Sequence, residues 1–207
     1  MNKARFESFS DSVFAFAITL LVLGFAVPLR GELKWTTEAD LTRELLKLWP
    51  NLIAYALSFA VIGIVWQSHH ALFRTVRHID RVTVFFNLLL LSSTVFIPFA
   101  TSTLGFYPTT HAATFLYGVV LSICATWYNV MLGHLVRSHA FVETIAPERI
   151  AGTVKAYRTG WFTYVGATAV ALFVPLASFA LYILIAAYYL VPRGLDDDLD
   201  ARYPTAS

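Results

Sequence analysis

The chain has 207 residues, 57% of them hydrophobic and 14% charged, with a formal net charge of +2 and one cysteine, Cys124. That charge fraction lies far below the roughly 25% of ordinary soluble domains, which excludes a soluble globular protein and predicts an integral membrane protein. The small net charge gives no basis for a nucleic-acid partner, and a single cysteine cannot build an intramolecular disulfide.

Apolar runs long enough to cross about 30 Å of hydrocarbon, once flanking residues are added, fall at 13–29, 52–66, 82–104, 112–136, 161–174 and 176–191. The predicted architecture is therefore all-α, with six transmembrane helices in one domain, 1–193, and an acidic, polar tail, 194–207. The first run is too long for a removable signal peptide and has no small-residue cleavage site before the next polar segment, so it is predicted to remain as a helix. Residues 35–49 set Leu41, Leu45, Leu46 and Leu48 among charges, which fits either an interfacial helix or a solvated loop. Pro98 predicts a kink in the third helix, and Asn87 is a candidate for an interhelical hydrogen bond. Pro175 separates the last two runs and predicts a tight helical hairpin. Cys124, in an apolar run, reads as a small buried thiol.

Basic residues alternate between the connections. Arg74, Arg77, Arg81, Arg137, Lys155 and Arg158 fall on the same side as Lys3, Arg5 and Arg193, whereas Arg30, Lys34, Arg43 and Lys47 on the other side are balanced by acids. The positive-inside rule then places both termini in the cytoplasm of a multi-pass cell-membrane protein.

Polar residues inside the spans are expensive and default to functional candidates. Ser10, Asp11 and Ser12 stand at the entrance of the first helix, where they could simply cap it, although one of them would suffice. Projection at 100° per residue puts Ser12, Phe16, Thr19, Leu20, Leu23 and Val27 on one stripe. Facing lipid or another helix, Thr19 would bond back to its own helix; facing a central axis, the stripe would line a narrow water path with a hydrophobic constriction. Trp66, His69 and His70 lie three and four residues apart on the second helix, so the indole can sit near an imidazole. Adjacent histidines diverge by about 100° and are poor joint ligands, so neither a metal nor a haem cofactor is predicted. The segment Thr103–Gly105–Tyr107 superficially matches a TVGYG potassium filter. Tyr107 replaces its last glycine, however, and no re-entrant helix precedes it, so it is expected to be an uncharged turn. No Walker loop, H-E-x-x-H or G-x-S-x-G motif gives an enzyme class support.

Three stretches together resemble a known family. They are the Arg5-x-x-x-Phe9-Ser10-Asp11 signature followed by VFAFAITLLVL, the WQSHH segment with Phe73 after it, and NLLLLSSTVFIPF in the third helix. The chain is similar to bacterial members of the transmembrane protein 175 family, relatives of the endolysosomal potassium channel of animals. The resemblance implies a homotetramer in the lipid bilayer that passes monovalent cations, potassium preferred, through a pore lined by the first helix. Phe16, Leu20 and Leu23 would form its constriction, and Thr19 would be the pore-facing hydroxyl linked to selectivity. Ser10 and Asp11 would join Trp66 and either His69 or His70 in a cytoplasmic-side network, with Arg5 and Phe9 completing the signature. Two positions depart from the family pattern: Ser12 stands where glycine is usual, and Phe16 where isoleucine or leucine is usual. A secondary or proton-coupled transporter is the alternative, but it would normally carry discontinuous helices and paired ionisable residues near the midplane.

Overall fold

A computed structural model describes residues 2–25 and 38–190. The outer-side residues Arg30, Lys34 and Trp35, together with the 194–207 tail, lie outside the described residues. In chain order the elements are α1 (Lys3–Leu20) with a 3₁₀ turn (Leu21–Gly24), α2 (Glu38–Lys47), α3 (Trp49–Thr75), α4 (Arg81–Val95), α5 (Ile97–Phe106), α6 (His111–Arg137), α7 (Pro147–Ala171) and α8 (Pro175–Tyr189). Among the described residues, four segments are long and apolar enough to cross a membrane: α1 with its 3₁₀ turn, α3, α4 with α5, and α6.

The first helix starts ten residues before the apolar run does. Asn2 is its N-cap, the side chain accepting from the Ala4 N–H at 3.0 Å. Ser10, Asp11 and Ser12 are thus mid-helix, and the capping explanation for them is corrected: the helix already had a cap, and hydropathy could not see its polar first turns. The third span is interrupted ahead of Pro98. Pro98 lacks the N–H that would bond one turn back, so α4 stops at Val95 and its C-cap N–H, on Phe96, turns to the Ser93 and Thr94 carbonyls before α5 begins. The Thr103–Tyr107 segment is a correction too. It is helical up to Phe106, with Tyr107 as the C-cap, its N–H donating to the Thr103 carbonyl at 3.0 Å. Residues 35–49 do contain a helix, α2. The predicted hairpin is present: α7 ends at Ala171, and Pro175 opens α8 after three residues.

Small side chains let the helices approach closely, as membrane helices require. Ala17, Ala54, Ala100, Ala167 and Ala186 are buried beside Phe14, Leu57, Ile62 and Tyr117 in one cluster; Phe6, Phe73, Leu90, Cys124 and Met131 anchor a second. Gly118 on α6 is the tightest approach, because an added Cβ would run into the Tyr182 hydroxyl and the Thr168 Oγ1. Cys124 is a free, buried thiol 3.6 Å from Thr94 Oγ1.

At the end of the bundle where α1 begins, two connections are stapled together. Val76 and Phe141 form an antiparallel bridge, the Arg77 N–H donating to Ala140 O at 2.7 Å and the Val142 N–H to Thr75 O at 2.9 Å. Lys3 Nζ donates to the Val76 carbonyl at 2.8 Å, which fastens α1 to this staple. Asp80 caps α4, accepting from the Thr83 N–H at 2.7 Å, and its other oxygen faces His134 Nε2 at 2.9 Å. Partial burial alone would raise the Asp80 pKa, but the Thr83 bonds and the bond and charge of His134 outweigh it and hold the carboxyl down at about 2.

Candidate functional site: the two faces of the first helix

Helix α1 packs on α3, α4 and α5. Its inner face carries Phe6, Ser10, Phe14, Ala17 and Leu21, all buried; this is the i, i+4, i+8, i+11, i+15 spacing of one helical stripe. Its outer face carries Arg5, Phe9, Ser12, Phe16, Thr19 and Leu23, all exposed in the single chain. Phe16 is 60% exposed and Leu23 73%. Leu20 lies at the margin and is half-buried.

Two adjacent residues attach the inner face to different helices. Trp66 Nε1 on α3 donates to Asp11 Oδ1 at 2.9 Å. Ser10 Oγ accepts from Asn87 Nδ2 on α4 at 2.9 Å and donates to the Phe6 carbonyl at 3.1 Å. With the Asn87 amide nitrogen committed to Ser10, its Oδ1 is the acceptor for His69 Nε2 at 2.8 Å. The result is a directional relay, His69 to Asn87 to Ser10 to Phe6 O, in which each buried group has a partner. The His69 ring is enclosed by Phe6, Phe14 and Phe73, with centroids 6.1, 5.4 and 4.6 Å away.

Of the residues singled out in the sequence, Ser10, Asp11, Trp66 and His69 therefore lie in two neighbouring arms, and His69 reaches Ser10 only through Asn87. His70 stacks on Trp66 with centroids 6.2 Å apart and makes no bond to Asp11. Arg5 and Phe9 stand on the outer face, away from both arms. Asn87, the sequence's candidate for an interhelical hydrogen bond, is that link; sequence reasoning missed Phe6 and Phe14 as the walls around His69. The signal for the walls was the four-residue spacing of Phe6, Ser10 and Phe14, which marks a second stripe opposite the first.

The hydroxyls on the outer face use their protons within the helix. Thr19 Oγ1 donates to Phe16 O at 2.8 Å and Ser12 Oγ to Ser8 O at 2.8 Å. A hydroxyl has one donor and two acceptor lone pairs, so each oxygen keeps its lone pairs for an outside donor or a cation. The outer face thus combines large apolar side chains with isolated oxygen ligands, a surface suited to a partly dehydrated cation and short of the charge that would hold one fast.

Residues 5–98 match the family described as the endosomal/lysosomal potassium channel TMEM175. The chain is 34% identical over 195 residues to a potassium channel of Streptomyces collinus, covering 91% of this chain and 92% of that one. It is similar in structure to a lysosomal potassium-selective channel TMEM175 homolog from Chamaesiphon minutus, with a TM-score of 0.80 and 32% identity over 90% of this chain and 95% of that one. The human endosomal/lysosomal proton channel TMEM175 is 36% identical over 103 residues, which is 48% of this chain and 20% of the human one. Similarity to the first two runs through nearly the whole length of each chain: this chain belongs to the TMEM175 family.

Proposed function

We propose that the protein is a passive, potassium-preferring cation channel made of four identical subunits, with α7 and α8 crossing the membrane beside α1, α3, the α4–α5 pair and α6, and both termini in the cytoplasm. Cations enter past Asp11, shed water at an apolar neck of Phe16, Leu20 and Leu23, and meet one ring of Thr19 hydroxyl oxygens. One helix per chain cannot enclose a pore, so the reading requires symmetric assembly around α1.

The observation that carries this reading is the division of α1 into a fixed face and an unpartnered one. Polar arms anchor one side, while Phe16, Thr19 and Leu23 face away from every other helix of the subunit. A large apolar face with back-bonded hydroxyls suits lipid equally well; in an ion path the lone pairs of Thr19 and Ser12 would be the ligands. Its kinship with proteins named as potassium channels adds support.

Reconstitution in planar bilayers under opposing potassium and sodium gradients tests the reading. The native protein is expected to pass current with a reversal potential near that of potassium. Phe16→Ala and Leu23→Ala should raise conductance, and Thr19→Ala should shift the reversal potential toward sodium. Absence of current, or a reversal potential and conductance unmoved by all three substitutions, overturns the α1 pore. A mass in detergent corresponding only to monomer, in a preparation that conducts after reconstitution, overturns the tetramer.

A further inference from the structure

Two clefts on the side of the bundle away from α1 meet at one lysine. The first, of about 790 Å³, lies under the stapled connections and has Arg77, His139, Lys155 and Arg158 among its lining, over apolar walls that include Phe141 and Val154. The second, of about 240 Å³, continues from Lys155 between α3, α7 and α8, past Ile64, Tyr188 and Tyr189. The first falls within the roughly 300–1,000 Å³ that ligand sites occupy. The acid in its lining is Glu143, which lies 3.5 Å from Arg77 and is 91% exposed. Lys155 and Arg158 have no carboxylate within ion-pair distance among the described residues.

The level of the cations in the membrane is set by their neighbours. Arg158 is three residues before Trp161, and Tyr189 Oη donates to the carbonyl of Ala156 at 3.2 Å. Trp and Tyr gather where hydrocarbon gives way to headgroups, so Lys155 and Arg158 stand at headgroup height. A cationic pocket at that height, opening directly into an apolar slot, has the two-part shape of a phospholipid: phosphate on the cations, acyl chain along Ile64 and Tyr189. A free phosphate would use the cations and leave the slot without purpose.

We propose that the Lys155 and Arg158 cleft is a binding site for an anionic phospholipid of the inner leaflet. The proposal takes from the reading above only that this end of the bundle lies at the cytoplasmic surface. Its location has a further consequence, which does rest on the pore reading. The headgroup would sit against the staple whose Val76 carbonyl holds Lys3, and occupancy would stiffen the anchorage of α1.

Thermal unfolding of the full chain in detergent tests binding without any measurement of current. Added phosphatidylglycerol should raise the midpoint by about 3–6 °C, with phosphatidylcholine of the same chains and inorganic phosphate each giving less than half of that. Lys155→Gln with Arg158→Gln should remove most of the phosphatidylglycerol effect and, since both side chains are exposed, leave the lipid-free midpoint unchanged. Equal effects of the two lipids, an equal effect of phosphate, or full retention in the double variant overturns the proposal. A chain lacking residues 194–207 should behave as the native one does; if phosphatidylglycerol stabilises only that shortened chain, the acidic tail is the occupant and the lipid proposal fails.

Discussion

Trp66 and Asp11, 55 positions apart in the chain, meet at 2.9 Å through the indole N–H and one carboxylate oxygen, and this contact fixes the rotation of α1 about its own axis. Since Ser10 is held by a second helix, α1 cannot turn about that axis without breaking one arm or the other.

Trp66→Phe keeps the ring that stacks on His70 and removes the donor. It should cost about 1 kcal/mol, since the carboxylate is partly open to solvent and water replaces part of the bond. Asp11→Asn should cost less, because the amide oxygen still accepts. Thermal unfolding of the two single variants and the double variant should give a coupling of at least about 0.5 kcal/mol if the two side chains interact as described.

Asn87 bridges His69 Nε2 and Ser10 Oγ, whose own proton goes to the Phe6 carbonyl. Asn87→Ala leaves both His69 Nε2 and Ser10 short of a partner in a buried site, and should destabilise by about 3 kcal/mol. Ser10→Ala strands only the amide N–H and should cost about 1–2 kcal/mol. Denaturant titrations in mixed micelles would separate the two, and a smaller loss for Asn87→Ala than for Ser10→Ala would contradict the relay.

The Thr19 hydroxyl gives its proton to the Phe16 carbonyl, so the oxygen is the atom it would offer to the proposed pore. Thr19→Ser keeps that oxygen and should preserve the reversal potential under mixed potassium and sodium. Thr19→Val keeps shape and loses the oxygen; it should move the reversal potential toward sodium while the unfolding midpoint stays within about 1 °C, because the side chain packs against nothing in the subunit.

Asp80 has a folded pKa of about 2, below its ordinary 3.8. A depressed carboxyl contributes stability that is complete above its unfolded pKa and is lost as pH falls through the folded one. The Asp80 contribution should therefore be full at pH 5 and above and disappear between about pH 4 and pH 2. Asp80→Asn should flatten this part of an acid unfolding curve, and His134→Gln should shift it to higher pH by removing one of the bonds and the charge that lower the pKa.

Much of the helical content was legible because lipid demands long apolar runs, and Ser10, Asp11, Trp66 and Asn87 stood out because polar groups there are costly. The boundaries were less legible. The first turns of α1 and the first half of α7 are polar, since they extend beyond the apolar runs, and a hydropathy reading mistakes that change of solvent for the end of a helix. Which histidine joins Ser10 could not be read either. His69 and His70 differ by one residue in sequence but by a quarter turn in direction, and only the packing of α3 on α1 and α4 decides which one turns inward.

The placement of the arms at residues 10 and 11 makes α1 a lever with its fulcrum low in the bundle. At 1.5 Å per residue, Phe16 is about 7.5 Å from that pivot and Leu23 about 18 Å. A tilt of about 5° would carry Phe16 sideways by about 0.7 Å and Leu23 by about 1.6 Å. The same small swing would therefore move the far end of the exposed stripe more than twice as far as the near end, so the bulky phenyl ring stands where a tilt displaces a side chain least.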